Sequence, residues 1–397
     1  MTVGVILCRC NGMMENLDWV AIADFLNKKK DVVDTLILDI ACSPQSQQDM
    51  VEFIESQKID RFVAAACSPL VKGGLFQALA RKMGMPNQHL EQVNIREQCS
   101  WAIQESGPAL ENAKIKLNMA LKRLSKVKDL GHWQFNKAYI NTLRCDKCKR
   151  CIEECPNEAI SLGVDGFPFV DGNKCVKCGV CLGGCPLGII SLPNFRLEEI
   201  NGMIEEAAKS KSKPNLIGLF CPHAYEEADV VSAKGCPGLA NLNVISVPCS
   251  GAVNMALVND ALATGIDGVI IAGCEHSQCQ LRRGNDYAKK RIANQQETLE
   301  EMFLEKERLI YMAFDENYTS SAEIDDKICS KCGICEHVCP FRAISYSPEE
   351  DRMFINPQGC RSCGTCSASC PAGAVKLPEA CDEEIMGAID LLIGEGY

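Results

Sequence analysis

The chain has 397 residues, 47% of them hydrophobic and 23% charged, and a formal net charge of −11. This is material for two to four packed domains, not for a disordered polymer. The acidic excess argues against nucleic-acid binding, and no apolar run nears the roughly 18 residues of a membrane span, so direct membrane insertion is not expected.

Residues 1–130 alternate short apolar runs with helical patterns. Val3–Leu7, Thr35–Ile40 and Phe62–Ala66 read as buried strands, and Trp19–Lys28, Gln47–Ser56 and Leu70–Met83 as helices. Gly84-Met85-Pro86 stops the last of these, and the amphipathic stretch Ala109–Lys126 closes the unit. Strand–helix alternation implies a parallel sheet. Cys8 follows the first strand, Cys42 the second and Cys67 the third. Parallel strands deliver their carboxyl ends to one edge, where open α/β folds bind ligands. Three thiols therefore converge there, and Cys10 or Cys99 could complete the set.

Residues 137–194 hold two copies of Cys-x2-Cys-x2-Cys-x3-Cys-Pro: Cys145, Cys148, Cys151 and Cys155, then Cys175, Cys178, Cys181 and Cys185. Ala159–Leu162 and Phe167–Val170 read as a hairpin around Val164-Asp165-Gly166. Residues 323–378 repeat the plan with Cys329, Cys332, Cys335 and Cys339, then Cys360, Cys363, Cys366 and Cys370. Three evenly spaced cysteines wrap one face of a 4Fe–4S cubane, while the fourth, ahead of proline, ligates the neighbouring cluster. The expected sets are thus Cys145, Cys148, Cys151 and Cys185; Cys175, Cys178, Cys181 and Cys155; Cys329, Cys332, Cys335 and Cys370; and Cys360, Cys363, Cys366 and Cys339. Structural zinc sites use separated cysteine pairs. A disulfide scaffold wants a short secreted chain. This long chain opens without a charged-then-apolar leader, so the reading expects a reducing, cytoplasmic setting.

Leu197–Lys209 reads as a helix, Lys211–Pro214 as a linker, and residues 214–313 as a second α/β unit. Its strands are expected at Leu216–Phe220, Val244–Val247, Gly268–Ala272 and near Leu309–Met312, its helices at Val253–Thr264 and Tyr287–Lys306. Cys221, Cys249 and Cys274 again follow strands, and Cys279 could complete the set. Cys236 and Cys381 lack this placement and read as structural, and His276 as a surface residue. The fold class is therefore multi-domain α/β: two parallel-sheet modules alternating with two ferredoxin-like modules of two 4Fe–4S clusters each. No Gly-x-Gly-x-x-Gly string follows a strand, so no FAD or NAD site is expected.

Asn94-Ile95-Arg96-Glu97-Gln98-Cys99-Ser100-Trp101, with Ala65-Ala66-Cys67-Ser68-Pro69, Cys42 and Cys8-Arg9-Cys10, makes residues 1–130 resemble the amino-terminal domain of the A-type subunit of heterodisulfide reductase. The resemblance implies a 4Fe–4S cluster on Cys42, Cys67, Cys99 and one of Cys8 or Cys10. Cys10 is preferred, because Cys8 falls at the strand end. The family's flavin domain is replaced here by a direct run into ferredoxin sequence. Val247-Pro248-Cys249-Ser250-Gly251, Ala272-Gly273-Cys274, Cys279 and Gly284-Asn285 resemble the delta subunit of methyl-viologen-reducing hydrogenase. That resemblance implies a 2Fe–2S cluster on Cys221, Cys249, Cys274 and Cys279, although Pro222 and Tyr225 stand where the family usually has two more cysteines.

Together these features imply five 4Fe–4S clusters, one 2Fe–2S cluster and no FAD. The expected role is that of an electron-relay subunit without its own substrate site, in a hetero-oligomeric oxidoreductase of heterodisulfide-reductase type. Such a subunit carries electrons between a donor (a hydrogenase, a formate dehydrogenase or a flavoprotein partner) and a reductase. The alternatives are a subunit of a quinone-interacting oxidoreductase, or a self-sufficient disulfide or thiol reductase.

Overall fold

The computed structural model describes residues 1–128, 137–193, 195–222, 241–274, 279, 281–314, 321–339, 343–348, 350–356, 360 and 365–376. Two four-stranded parallel sheets organise it. The first contains β1 (Val3–Cys8), β2 (Val32–Leu38), β3 (Arg61–Ala66) and β4 (Leu90–Asn94), in the order β2-β1-β3-β4. The central strands β1 and β3 are buried along their whole length, as runs of Val, Ile, Leu and Ala covered on both faces must be.

Helices α1 (Trp19–Asn27), α2 (Pro44–Ser56), α3 (Pro69–Lys82) and α4 (Ser106–Lys126) cover this sheet. Asp18 starts α1 by accepting from the Ala21 amide at 2.9 Å. Ser43 starts α2 by accepting from the Ser46 amide at 3.1 Å, with Pro44 at the first helical position. Strand β4 and the π-helical turn Arg96–Trp101 after it have no counterpart in the sequence reading. Leu90-Glu91-Gln92-Val93-Asn94 carries only two apolar residues, because it lies at the sheet edge.

The first dicluster region holds the short strands β5 (Tyr139–Ile140), β6 (Ile160–Leu162), β7 (Pro168–Val170) and β8 (Ile190–Ser191), and the helices α5 (Arg150–Glu153) and α6 (Val180–Gly184). β5 pairs with β8 and β6 with β7, both antiparallel. Helix α7 (Leu197–Ala207) then packs on α4 and leads to the second sheet.

That sheet contains β9 (Leu216–Phe220), β10 (Leu242–Ser246), β11 (Gly268–Cys274) and β12 (Leu309–Phe314), in the order β10-β9-β11-β12. The first and second sheets therefore share one topology. Helices α8 (Met255–Ala263) and α9 (Gly284–Glu301) cover the second sheet. Helix α8 starts where Asn254 accepts from the Ala256 amide at 3.0 Å. One continuous core runs from Ile140, Cys151, Cys181 and Ile190 through Ile200 and Ile204 to Leu216, Ile245 and Ile270. It spans the first dicluster region and the second sheet without a break.

The second dicluster region repeats the first in β13 (Glu323–Ile324), β14 (Ile344–Ser347), β15 (Arg352–Ile355) and β16 (Val375–Lys376), with α10 (Ile334–Val338) and α11 (Thr365–Ala368). It has a small core of its own, built from Ala322, Cys335, Ile344, Met353, Ile355, Cys366 and Val375. Among the described residues no helix is long and apolar enough to cross a membrane.

Candidate redox sites

The first dicluster region sorts its eight cysteines into two groups across the two sequence runs. Cys145, Cys148, Cys151 and Cys185 line one small cavity, partly open to solvent. Cys155, Cys175, Cys178 and Cys181 line another. The local backbone explains the convergence. Lys147 and Lys149 in the first run, and Lys177 and Gly179 in the second, take left-handed φ of 60–82° and fold the loop around its thiols. A short helix then carries Cys151 or Cys181 inward, and the chain returns so that Cys155 and Cys185 reach the opposite group.

Burial, then the neighbouring Cys148, Cys185 and Cys145, push the Cys151 thiol up to about 11. Burial also raises Cys181 well above the ordinary thiol range. Cys151 stands among the electrostatic neighbours of Cys181, so the two groups adjoin. Thiolates crowded this closely repel one another unless a polynuclear cation lies between them. The residues present therefore fit a pair of clusters. Cys148 is exposed, so the group containing it reaches the surface.

The second dicluster region shows the same plan as far as it is described. Cys335 is buried with Cys329 and Cys332 as neighbours, and Cys366 lies in the same small core. Cys339, Cys360 and Cys370 pack against that core. Cys363 lies outside the described residues. Amide-to-sulfur hydrogen bonds recur in both regions: Ala159 to Cys155 at 3.2 Å, Ala343 to Cys339 at 3.3 Å and Ala374 to Cys370 at 3.3 Å. Such bonds stabilise charge on a ligand sulfur.

At the carboxyl edge of the first sheet the structure gathers Cys8, Cys10, Cys42 and Cys67. Cys10 and Cys42 neighbour Cys8, while Cys10 and Cys8 neighbour Cys67. Burial raises both the Cys8 and Cys67 thiols, and Arg96 opposes this at Cys67. Arg96 is almost fully buried, donates from Nη1 to Cys10 Sγ at 3.1 Å and stacks on Trp101 at 4.5 Å. Its other face binds Glu97 Oε1 at 2.5 Å, and Glu97 Oε2 accepts from the Ser68 amide at 3.0 Å.

Cys99, expected among these ligands, faces elsewhere. Its thiol donates to Asn112 Oδ1 at 3.6 Å, its charged neighbour is Lys116, and burial pushes it to about 12. The π-helical turn carries Arg96 to the thiols and Cys99 into the core beneath α4. Sequence reasoning passed over Arg96 and Glu97 as chemistry, although a charged pair inside a stretch ending in Trp101 was a usable signal.

In the second sheet Cys221, Cys249 and Cys274 leave strand ends and meet Cys279. Hydrogen bonding to Cys279, followed by burial, pushes Cys249 far up. Hydrogen bonds with Cys221 and Cys279 do the same to Cys274. Cys279, receiving both bonds, is pulled far down. Glycines let backbone approach these thiols closely. A methyl added to Gly251 would meet the Gly284 carbonyl oxygen at 2.6 Å, and one on Gly284 would strike Cys249 Sγ. Four neighbouring thiols, three of them buried and linked through Cys274 and Cys279, fit an iron–sulfur cluster. Tyr225, Cys236, His276 and Cys381 lie outside the described residues. No three His, Cys, Asp or Glu side chains among those described close on a single metal ion.

Comparison with known proteins adds family to geometry. Residues 216–325 match the family "methyl-viologen-reducing hydrogenase, delta subunit". Over 98 residues the chain is 33% identical to the iron-sulfur D-type subunit of the F420-non-reducing hydrogenase of Archaeoglobus profundus, covering 24% of this chain and 72% of that protein. Through this segment the chain belongs to the hydrogenase delta-subunit family. Residues 144–190 and 328–374 each match a 4Fe-4S dicluster domain, so this is an iron–sulfur protein.

Similarity to the A-type subunit of heterodisulfide reductase extends over most of the chain. The chain is 34% identical over 365 residues to the A-type subunit of the ferredoxin/F420H2-dependent CoB-CoM heterodisulfide reductase of Methanosarcina acetivorans, covering 88% of this chain and 40% of that protein. It is 39% identical over 358 residues to the A-type subunit of the H2:CoB-CoM heterodisulfide,ferredoxin reductase of Methanothermobacter thermautotrophicus, covering 89% and 48%. The chain thus spans less than half the length of these relatives. Sequence of the heterodisulfide-reductase, dicluster and delta-subunit types stands fused in one polypeptide.

Proposed function

We propose that this chain is an iron–sulfur relay subunit of an oxidoreductase complex of heterodisulfide-reductase type, passing electrons between a donor and a flavoprotein or reductase partner. The observation that carries the reading is the sorting of Cys145, Cys148, Cys151 and Cys185 from Cys155, Cys175, Cys178 and Cys181 into adjoining cavities. Two sites that share neighbouring thiols serve passage of single electrons, and no substrate-sized chemistry is needed to explain them.

The proposed architecture alternates an α/β module at 1–130, a dicluster module at 137–194, an α/β module at 214–313 and a dicluster module at 323–378. The inventory is five 4Fe–4S clusters and one 2Fe–2S cluster. Four 4Fe–4S clusters take the exchanged sets, the second pair being Cys329, Cys332, Cys335 and Cys370, and Cys360, Cys363, Cys366 and Cys339. The fifth takes Cys8, Cys10, Cys42 and Cys67, with Cys8 in place of Cys99 because Cys8 lies beside Cys10 and Cys42. The 2Fe–2S cluster takes Cys221, Cys249, Cys274 and Cys279. So many thiolate ligands suit a reducing cytoplasm.

The chain's own residues contribute deprotonated sulfur, amide donors to that sulfur, and apolar burial. The clusters, when bound, supply the one-electron chemistry. Anaerobic reconstitution of the full chain tests the inventory: about 22 iron atoms per chain are expected. Mössbauer and electron paramagnetic resonance (EPR) spectra that account for fewer than five cubane clusters would overturn it.

A further inference from the structure

Three strands of the second sheet lead into a thiol of the candidate site, and the fourth does not. Cys221 follows β9, Cys249 follows β10 and Cys274 ends β11. Strand β12 lies beside β11 at the sheet edge and contains no cysteine. What it sends to the thiols is a hydroxyl. Tyr311 stands opposite Ile271 in the parallel register, so its side chain reaches along the sheet to meet the strand end. There its Oη donates to the Cys274 carbonyl at 3.0 Å. Cys221, Cys274 and Cys249 are all electrostatic neighbours of that hydroxyl.

The surroundings hold that hydroxyl in place. Gly273 precedes Cys274, and a methyl there would lie 2.6 Å from Tyr311 Oη and 2.5 Å from Ser250 Oγ. A larger residue at this position would displace one or both hydroxyls. From the other side Asn285 of α9, 1% exposed, donates from Nδ2 to the same Cys274 carbonyl at 3.3 Å. A carbonyl oxygen has two lone pairs, and both are engaged here, one by a strand and one by a helix. Lys289, one turn further along α9, sets its ammonium 5.2 Å from the centre of the Tyr311 ring. The hydroxyl is not needed to hold β12 in the sheet, because the ladder already pairs Ala272 with Met312 and Gly273 with Ala313.

We propose that Tyr311 is a positioning residue of the second-sheet redox site, acting through the Cys274 carbonyl on the potential at which that site accepts an electron. The inference rests on the reading that Cys221, Cys249, Cys274 and Cys279 hold a cluster. A peptide carbonyl oxygen is the negative end of a dipole, and one left bare beside thiolates disfavours an added electron. The Tyr311 hydroxyl and the Asn285 amide draw charge away from it and fix the plane of the peptide that carries the Cys274 thiol. The donor's electron enters the cluster; no bond forms or breaks, and Tyr311 keeps its proton. Loss of one such hydrogen bond should make reduction roughly fivefold to tenfold less favourable, which is about 40–60 mV for one electron.

The test uses the full chain, reconstituted anaerobically and titrated with dithionite, with EPR as the readout. The second-sheet signal is identified by its loss in Cys249→Ala. Tyr311→Phe keeps the ring and its packing and loses only the hydroxyl. It should retain iron content, lower the midpoint of this site by about 40–60 mV and leave the dicluster midpoints where they are. Tyr311→4-aminophenylalanine, which restores a donor, should bring the midpoint back toward wild type. An unshifted midpoint in Tyr311→Phe, or a shift that the amino variant does not reverse, would overturn the assignment. Should Tyr311→Phe fail to fold, the wild type carrying isotope-labelled tyrosine decides. Its redox-difference infrared spectrum should contain a tyrosine C–O band that moves at the midpoint of this site, and the lack of one would overturn the assignment. A wild type with no signal for Cys249→Ala to remove would instead strike the cluster reading, and the assignment with it.

Discussion

Arg96 is the sharpest test of how the first sheet tunes its thiols. Its guanidinium lies 3.1 Å from Cys10 Sγ and is buried with Glu97. At an effective dielectric of about 20, a unit charge at that distance is worth about 5 kcal/mol, and at twice the distance about half as much. For one electron, about 1.4 kcal/mol corresponds to about 59 mV. Arg96→Gln should therefore lower the midpoint potential of the first-sheet site by roughly 100–200 mV, because the reduced, more negative form loses a buried cation. Glu97→Gln should move it the other way, and Arg96→Lys should fall between, keeping charge without the planar fork that spans Cys10 and Glu97. The assay is a potentiometric titration of the anaerobic full chain followed by EPR, with iron content as control. Shifts of the same sign in Arg96→Gln and Glu97→Gln, or every midpoint within about 30 mV of wild type, would refute the electrostatic reasoning.

Four further outcomes follow from the geometry. Cys185→Ala should remove the 4Fe–4S signal of the Cys145 group and spare that of the Cys175 group, while Cys155→Ala should do the reverse; the opposite pairing in Mössbauer and EPR spectra would show that the fourth cysteines are not exchanged. Cys8→Ala should cost the first-sheet site its cluster and Cys99→Ala should not, as read by iron content and EPR, because Cys99 faces Asn112 and Lys116. Cys249→Ala should abolish a 2Fe–2S signal with the dicluster signals intact; its survival would exclude Cys249 as a ligand. Arg123, 6% exposed, pairs with Glu91 at 2.7 Å and Glu199 at 3.6 Å, so Arg123→Met should cost about 3–5 kcal/mol at neutral pH. Burial raises both carboxyls in the folded state, so folding is favoured as they take up protons; the penalty should shrink as pH falls from neutral toward the carboxyl range, and an apparent Tm deficit that grows instead would contradict this.

Much of this protein was legible because its chemistry is written in spacing. Runs such as Cys145 to Cys155 announce a dicluster domain, and strand periodicity alone placed Cys67 and Cys274 at sheet ends. Strand β2 sits at Val32–Leu38, not Thr35–Ile40, since Val32 and Val33 extend it backwards. The edge strand β4 was invisible because half-buried positions tolerate Glu91 and Gln92. The direction of Cys99 was not legible, because proximity in a motif is not direction: a π-helical turn aims residues three apart to different sides. Arg291 and Asn254 could not be found from sequence at all. Their partners, Glu154 and Cys185, lie 137 and 69 residues away, and nothing local marks a side chain whose task is to hold another segment.

The unbroken core from Ile140 to Ile270 has a bearing on how this protein is made. A segment that shares its interior with another cannot reach its final shape alone, so residues 137–193 await the second sheet before their contacts with it close. Iron delivered to Cys155 and Cys181 early would meet a loose receptor, open to oxidation and to the wrong sulfur. Assembly should then be ordered: the polypeptide from β5 to β12 collapses first as one cooperative unit, and the inner sites are charged afterwards. The second dicluster region, with its separate small core, is free of that constraint and can be loaded on its own schedule.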